Sequence, residues 1–329
     1  MDLTALPAVS APLPWQSENW SRLGRQFQEG TLPHALIIAG PPATGKARLA
    51  LALARLLLCQ APSGGLNCGT CHACELSASG SHGDLRWLQP EEKSRNIKID
   101  QIRDAVAFAT KTAGFGERKV LALAPADSMN TNAANALLKS LEEPSPGTYL
   151  LLVCDQLHAV PATIRSRCQI IRQAAPAAEA ALQWLDQLTG DRDESGRLFA
   201  LADGMPLLAE ALYNNPDAGQ VVQARLACAG LAAGKIGVGE AKGLLADTEA
   251  TAVLEQVSNA LRQHLKQLDR AALCAQQARA AFELLDEISG LQRAVLAGAN
   301  PNRQLLTEVL LEKLHSVLGG VSASGNIRH

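Results

Sequence analysis

The chain has 329 residues, of which 47% are hydrophobic, 19% charged and only 3% aromatic, with a formal net charge of -2 at pH 7. That length suits two or three globular domains. The near-neutral charge excludes a strongly basic nucleic-acid coat protein, and no apolar run approaches the roughly 20 residues of a membrane span. Residues 1–15 lack a basic start and an apolar centre, so no secretory signal is expected, and the expected location is cytoplasmic. In that compartment clustered cysteines bind metal more often than they form disulfides.

With few aromatics, the core must come from Ala, Leu, Val and Ile, and abundant Ala and Leu favour helix. Residues 35–39 form a short apolar run ending in a glycine loop, which predicts a buried strand followed by a helix over 46–58. Residues 85–88 are a second strand candidate. Asp100 is a plausible N-cap for a helix over 101–110. Residues 120–124 predict a third strand, 132–142 a helix stopped by Pro144, and 149–153 a fourth strand. Strand and helix alternate, so residues 1–173 read as an α/β domain with a parallel sheet. Beyond the Ala/Pro run at 174–178 strand signals fade. A small helical unit is expected over 174–216, and a larger all-helical domain over 217–329 with a frayed end.

Gly40-x4-Gly45-Lys46 has the spacing of a phosphate loop. Glycines let backbone N–H groups approach phosphate, and the lysine reaches the terminal phosphates. The next residue should offer a hydroxyl to magnesium, but it is Ala47. The Asp expected at the end of a later strand is also missing, because the run at 120–123 ends in Ala124-Pro125. Asp127 reads as a helix or turn cap. Two independent losses predict little or no ATP hydrolysis, and ATP binding by Gly40, Gly45 and Lys46 is in doubt. The alternative is a tight strand-to-helix turn that never meets nucleotide.

Twelve residues separate Lys46 from Cys59, which opens the spacing C-x8-C-x2-C-x2-C with Cys68, Cys71 and Cys74. Four sulfurs with no open position describe a structural Zn2+ site. His72 lies among them as a substitute ligand, and an iron–sulfur cluster is a less favoured occupant. Cys154, Cys168, Cys228 and Cys274 are scattered singly and read as small buried apolar residues.

Residues 135–144, Asn-Ala-Leu-Leu-Lys-Ser-Leu-Glu-Glu-Pro, followed by Ile-Arg-Ser-Arg-Cys at 164–168, resemble the bacterial clamp-loader branch of the AAA+ family. The cysteine spacing belongs to the same branch. The resemblance is dense over 15–173 and weaker beyond. It implies an AAA+ P-loop domain carrying a zinc module at 59–74, then a small helical lid and an all-α collar. It further implies membership of a five-subunit ring that opens a sliding clamp and closes it on primer-template DNA for the replicative polymerase. The implied partners are the gamma and tau motor subunits and the delta subunit, with the clamp and DNA reached through the assembly.

The motor subunits keep Ser or Thr after the loop lysine and an Asp-Glu pair on the later strand, and this chain departs at both. On spacing alone Arg167 reads as a surface or salt-bridged arginine, whereas the resemblance gives it, in Ser166-Arg167-Cys168, the role of a finger reaching into a neighbour's ATP site. A planar, permanently charged guanidinium suits phosphate oxygens. The usual lid arginine falls near Leu207, and the polar residue usual at the end of the fourth strand is Cys154. The leading expectation is therefore a non-hydrolysing stator. The alternatives are an autonomous ATP-driven motor, against which Ala47 and Ala124-Pro125 stand, and a zinc-ribbon nucleic-acid binder. The last is disfavoured because residues 59–83 hold no Lys or Arg. Glu142-Glu143 reads as a solvated helix end, and the basic stretch 262–270 as a solvated helical face without aromatics for base stacking.

Overall fold

The computed structural model describes residues 6–91, 97–202, 204–214, 219–232, 234–246, 248–268, 272–274, 276–296 and 299–318. They divide into two compact units, one of residues 1–192 with 205–208, the other of 193–204 with 209–329.

The first unit is built on five parallel strands: β1 (Ala35–Ala39), β2 (Leu85–Leu88), β3 (Lys119–Leu123), β4 (Thr148–Cys154) and β5 (Gln169–Arg172), in the order β2-β3-β4-β1-β5. Alternate residues feed two cores. Ile37, Leu121, Leu123, Leu150 and Leu152 face α4 (Ile99–Ala109) and α5 (Thr131–Glu142). Leu36, Ile38, Val120, Leu151 and Ile171 face α1 (Ser17–Gln28) and α2 (Lys46–Leu58). A parallel sheet covered on both faces needs strands with no polar side, which is why the central strands β1, β3 and β4 are almost wholly apolar while the edge strands β2 and β5 carry Arg86, Gln169 and Arg172.

After β1 the chain leaves on the α2 face, whereas β3 is followed by α5 on the other. The phosphate-loop sequence thus occupies the crevice at the carboxyl end of β1 where the winding reverses, the usual ligand position of such sheets. Residues 49–58 of α2 are all buried. An all-round apolar helix must be covered on every side. One face of α2 packs on the sheet, and the opposite one, at Arg55, lies under residues 7–10 and the short helix α3 (His72–Ala78). The helix α6 (Ala162–Arg165) follows β4, and α7 (Ala178–Thr189) closes the unit, with Trp184 edge-on to Trp15 at 5.4 Å.

The second unit is helical: α8 (Arg192–Leu201), α9 (Pro206–Asn214), whose first turn belongs to the first unit, α10 (Gly219–Ala232), α11 (Val238–Leu244), α12 (Ala250–Gln267), α13 (Gln276–Leu296) and α14 (Arg303–Leu318). Its core gathers Leu231, Val253, Val257, Leu261, Ile288, Leu310 and Leu314. No described helix is long and apolar enough to cross a membrane.

Some local expectations need correction. Helix α4 starts at Ile99 with Lys98 at its N-cap, so Asp100 lies in the first turn, where it pairs with Arg103 at 3.2 Å. A carboxylate is favoured there by the helix dipole as well as at the cap. Strand β5 and helix α3 carry too little periodicity to be predicted. In α12, Arg262 is exposed and His264 half-buried; Arg270 and the Lys266 side chain lie outside the described residues.

Candidate functional site

The loop from Gly40 to Gly45 has the shape its glycines require. Gly45 sits at φ 89°, in the left-handed region, and Ala43 at φ 53°. A Cβ on Gly40 would come within 2.0 Å of the Gln173 carbonyl oxygen. Several loop carbonyls are claimed from outside. Trp15 Nε1 donates to Thr44 O at 2.9 Å, Gln16 Nε2 to Gly45 O at 2.9 Å, and Leu207 N to Ala43 O at 3.2 Å. The N–H groups of Thr44 and Gly45 meet no protein acceptor among the described residues. The loop can still offer donors to an anion at the start of α2.

Lys46 is buried, donates to the Pro41 carbonyl and forms an ion pair with Asp155 at 2.7 Å. Asp127 is the next link. Its Oδ2 accepts from Asp155 N at 3.1 Å and Gln156 N at 2.9 Å, so it caps the chain after β4 rather than its own turn. Cys154, at the end of β4, is fully buried, and burial pushes its thiol up to about 12. Around Lys46, therefore, the lysine of the phosphate-loop pattern is present while the hydroxyl and carboxylate positions of that pattern are Ala47 and Ala124.

The four cysteines converge. Their sulfurs all lie within 4.8 Å of one another, with Cys59–Cys71 and Cys68–Cys74 each at 3.9 Å. Arms of ~2.3 Å to a central zinc give tetrahedral edges of about 3.8 Å. The fit is close, and the distances are far beyond a disulfide bond. Cys59 caps the end of α2, and Cys74 lies in α3. Donors reach the sulfurs: Cys68 N to Cys59 at 3.2 Å, Cys71 N to Cys68 at 3.3 Å, and Asn67 Nδ2 to Cys74 at 3.3 Å.

Burial pushes the Cys59 thiol up to about 12 and raises Cys74, whereas the N–H groups of Thr70 and Cys71 bring Cys68 down to about 6. Burial also works against the Cys71 thiolate, but N–H donors at Gln60 and Cys74 outweigh it and lower the value. A divalent cation would displace the protons of the buried pair. His72 stands outside the cluster, near Glu75 at 3.9 Å and Phe115. Cys228 is buried and Cys168 half-buried, while the Cys274 side chain lies outside the described residues.

Arg167 follows α6. Its Nη2 lies 2.7 Å from Glu142 Oε1, and its Nη1 donates to Thr163 O at 2.9 Å. The side chain is 36% exposed. Glu142 thus has an ion-pair partner, not only solvent.

The family described as DNA polymerase III, delta subunit, matches residues 15–176. A DNA polymerase III subunit delta prime from Pseudomonas aeruginosa is 47% identical over 204 residues, 61% of each chain. Its counterpart from Escherichia coli is 31% identical over 327 residues, covering 94% of this chain and 97% of that one. The chain belongs to the delta prime family of DNA polymerase III subunits. In fold it resembles a DNA polymerase III gamma subunit-related protein from Thermotoga maritima, with a TM-score of 0.51 at 17% identity over 90% of this chain and 98% of that one. The match spans about three-fifths of the Pseudomonas relative and nearly all of the Escherichia one.

For this delta prime family member, sequence reasoning singled out Lys46 and Arg167 but not their partners Asp155 and Glu142. The one available signal for Asp155 is its place directly after a buried strand, at the carboxyl edge of a parallel sheet.

Proposed function

We propose that the chain is a clamp-loader subunit that does not hydrolyse ATP and lends Arg167 to the ATP site of a neighbouring motor subunit. The observation that carries this reading is the loop around Lys46. With Ala47 and Ala124 it lacks the hydroxyl and the strand-end carboxylate that hold magnesium in a phosphate-loop ATPase, and one oxygen of Asp127, the nearest acid after β3, is taken up by the backbone at 155–156. Without a held metal ion, phosphoryl transfer loses its main charge stabiliser. Arg167, half-exposed beyond α6, is accessible to a partner, and a guanidinium supplied in trans is worth ~10³ or more in rate.

In this reading the gamma or tau subunits are the motors and delta completes the ring. The sliding clamp and primer-template DNA are reached through the assembly, in the cytoplasm. Residues 174–216 serve as lid and 217–329 as collar. The cysteine module holds a structural zinc through Cys59, Cys68, Cys71 and Cys74. Turnover of ATP by the isolated chain, freed of contaminating ATPases, tests the first half. The reading expects none above background. Turnover at about 1 per second or faster would favour an autonomous motor instead.

A further inference from the structure

One stretch near the start of the chain touches both candidate sites. Residues 7–10 lie on the cysteine module. Asn67, 2% exposed, donates from Nδ2 to Ala8 O at 2.8 Å and to Cys74 Sγ at 3.3 Å, and its Oδ1 accepts from Ser10 N at 2.9 Å. Arg55, 1% exposed, donates to Pro7 O at 2.5 Å, to Ser10 Oγ at 2.8 Å and to Ser77 O in α3 at 3.2 Å. Val9 packs so closely that a Cβ on Gly69 would meet its Cγ2 at 2.5 Å.

A few residues later the same stretch lies on the phosphate loop. A Cβ on Gly45 would meet Leu13 Cδ1 at 2.3 Å. Gln16, fully buried, bonds Gly45 O, and Trp15 bonds Thr44 O. The intervening chain is short and held at both ends, with Leu13 N donating to Gln16 Oε1 at 2.9 Å and Gln16 N to Leu13 O at 2.8 Å.

We infer that the cysteine module positions the phosphate loop through this strap, residues 7–16. Metal bound by the four cysteines orders Asn67 and α3. Asn67 and Arg55 then fix residues 7–10, and the strap holds Leu13, Trp15 and Gln16 against Thr44 and Gly45. The physical basis is that buried polar side chains with several partners have few alternative arrangements. Loosening one end leaves groups at the other without their fixed neighbours. The inference rests on the metal reading of the cysteines, and it gives that metal a task beyond its own loop.

Hydrogen exchange read by mass spectrometry on the full chain tests it, with zinc content measured on the same samples. Removing zinc with a chelator should strip protection from residues 7–16 and 40–49 while β3 and β4 stay protected, and zinc should restore it. Asn67→Ala cuts the strap from the module without removing a cysteine. It should lose protection over 7–16 and 40–49 with zinc retained, and this variant decides the matter if chelation unfolds the whole unit. Loss confined to 59–78 in the variant would overturn the relay. Loop protection that survives chelation would overturn its dependence on metal. Protein that holds no zinc as purified, yet loosens at 40–49 in Asn67→Ala, would sink the metal reading and leave the strap.

Discussion

Lys46 Nζ and Asp155 Oδ1 stand 2.7 Å apart, the lysine buried and the aspartate 46% exposed. The lysine that a nucleotide would need is thus already engaged, by a residue that the chain sets in place through Asp127.

Asp155 and phosphate should compete for Lys46. Asp155→Ala is expected to tighten nucleotide binding modestly, by up to about 1 kcal/mol, since half-exposed pairs are weak. Titration with a fluorescent ATP analogue measures it. ATP turnover should stay at background, because Asp155→Ala restores no magnesium ligand.

Gly40 meets Gln173 backbone with no room for a side chain, at 2.0 Å from the place a Cβ would occupy. Gly40→Ala should therefore cost roughly 1–3 kcal/mol by overpacking between β1 and the chain after β5. Urea unfolding gives the number. A neutral result would mean that the two segments separate easily and that the loop is less fixed than described.

Asp84 and Lys119 form a buried pair at 3.3 Å, and the carboxylate also accepts from Gly114 N at 2.8 Å and Phe115 N at 2.7 Å. Burial pushes the Asp84 carboxyl up, but the two N–H groups and Lys119 outweigh it and hold it below its ordinary value. A depressed folded value means the native state binds the proton more weakly than the unfolded chain. The contribution is then complete above the unfolded pKa of about 3.9 and is lost as pH falls through the folded value. Asp84→Asn should cost about 3 kcal/mol near neutral pH by stranding Lys119. It should also flatten the fall of Tm below about pH 4. Thermal melts of both proteins across that range check the sign.

Cys74 is buried within the cluster, so Cys74→Ser should remove most bound zinc and lower Tm, whereas Cys168→Ser should leave zinc unchanged. Metal analysis of the two purified variants separates them. Full zinc in Cys74→Ser would mean that the four sulfurs are not the ligand set.

Much of the first unit was readable in advance. The runs at 35–39, 120–124 and 149–153 are apolar throughout because both faces of the sheet are covered, and their boundaries differ from β1, β3 and β4 by at most a residue at either end. Strand β5 escaped because Gln169 and Arg172 flank only two isoleucines at the sheet edge, where polar side chains are tolerated. Helix α3 is seven residues long, too short for a helical period to show. The cysteine spacing announced its convergence, because ligands with two residues between them fold back onto one centre. The pairs Lys46–Asp155 and Arg167–Glu142 did not. They exist only once helix and strand ends far apart in sequence become neighbours, and no local pattern encodes that.

Arg167 is expected to act in the ATP site of a neighbouring subunit. The direct measurement is clamp- and DNA-stimulated ATP turnover by a reconstituted loader containing this chain, with Arg167 or with Arg167→Ala, after confirming that both assemble. A large drop with assembly intact is the predicted result, approaching ~10³-fold at the single site served. Unchanged turnover would contradict it and leave Arg167 as a structural partner of Glu142.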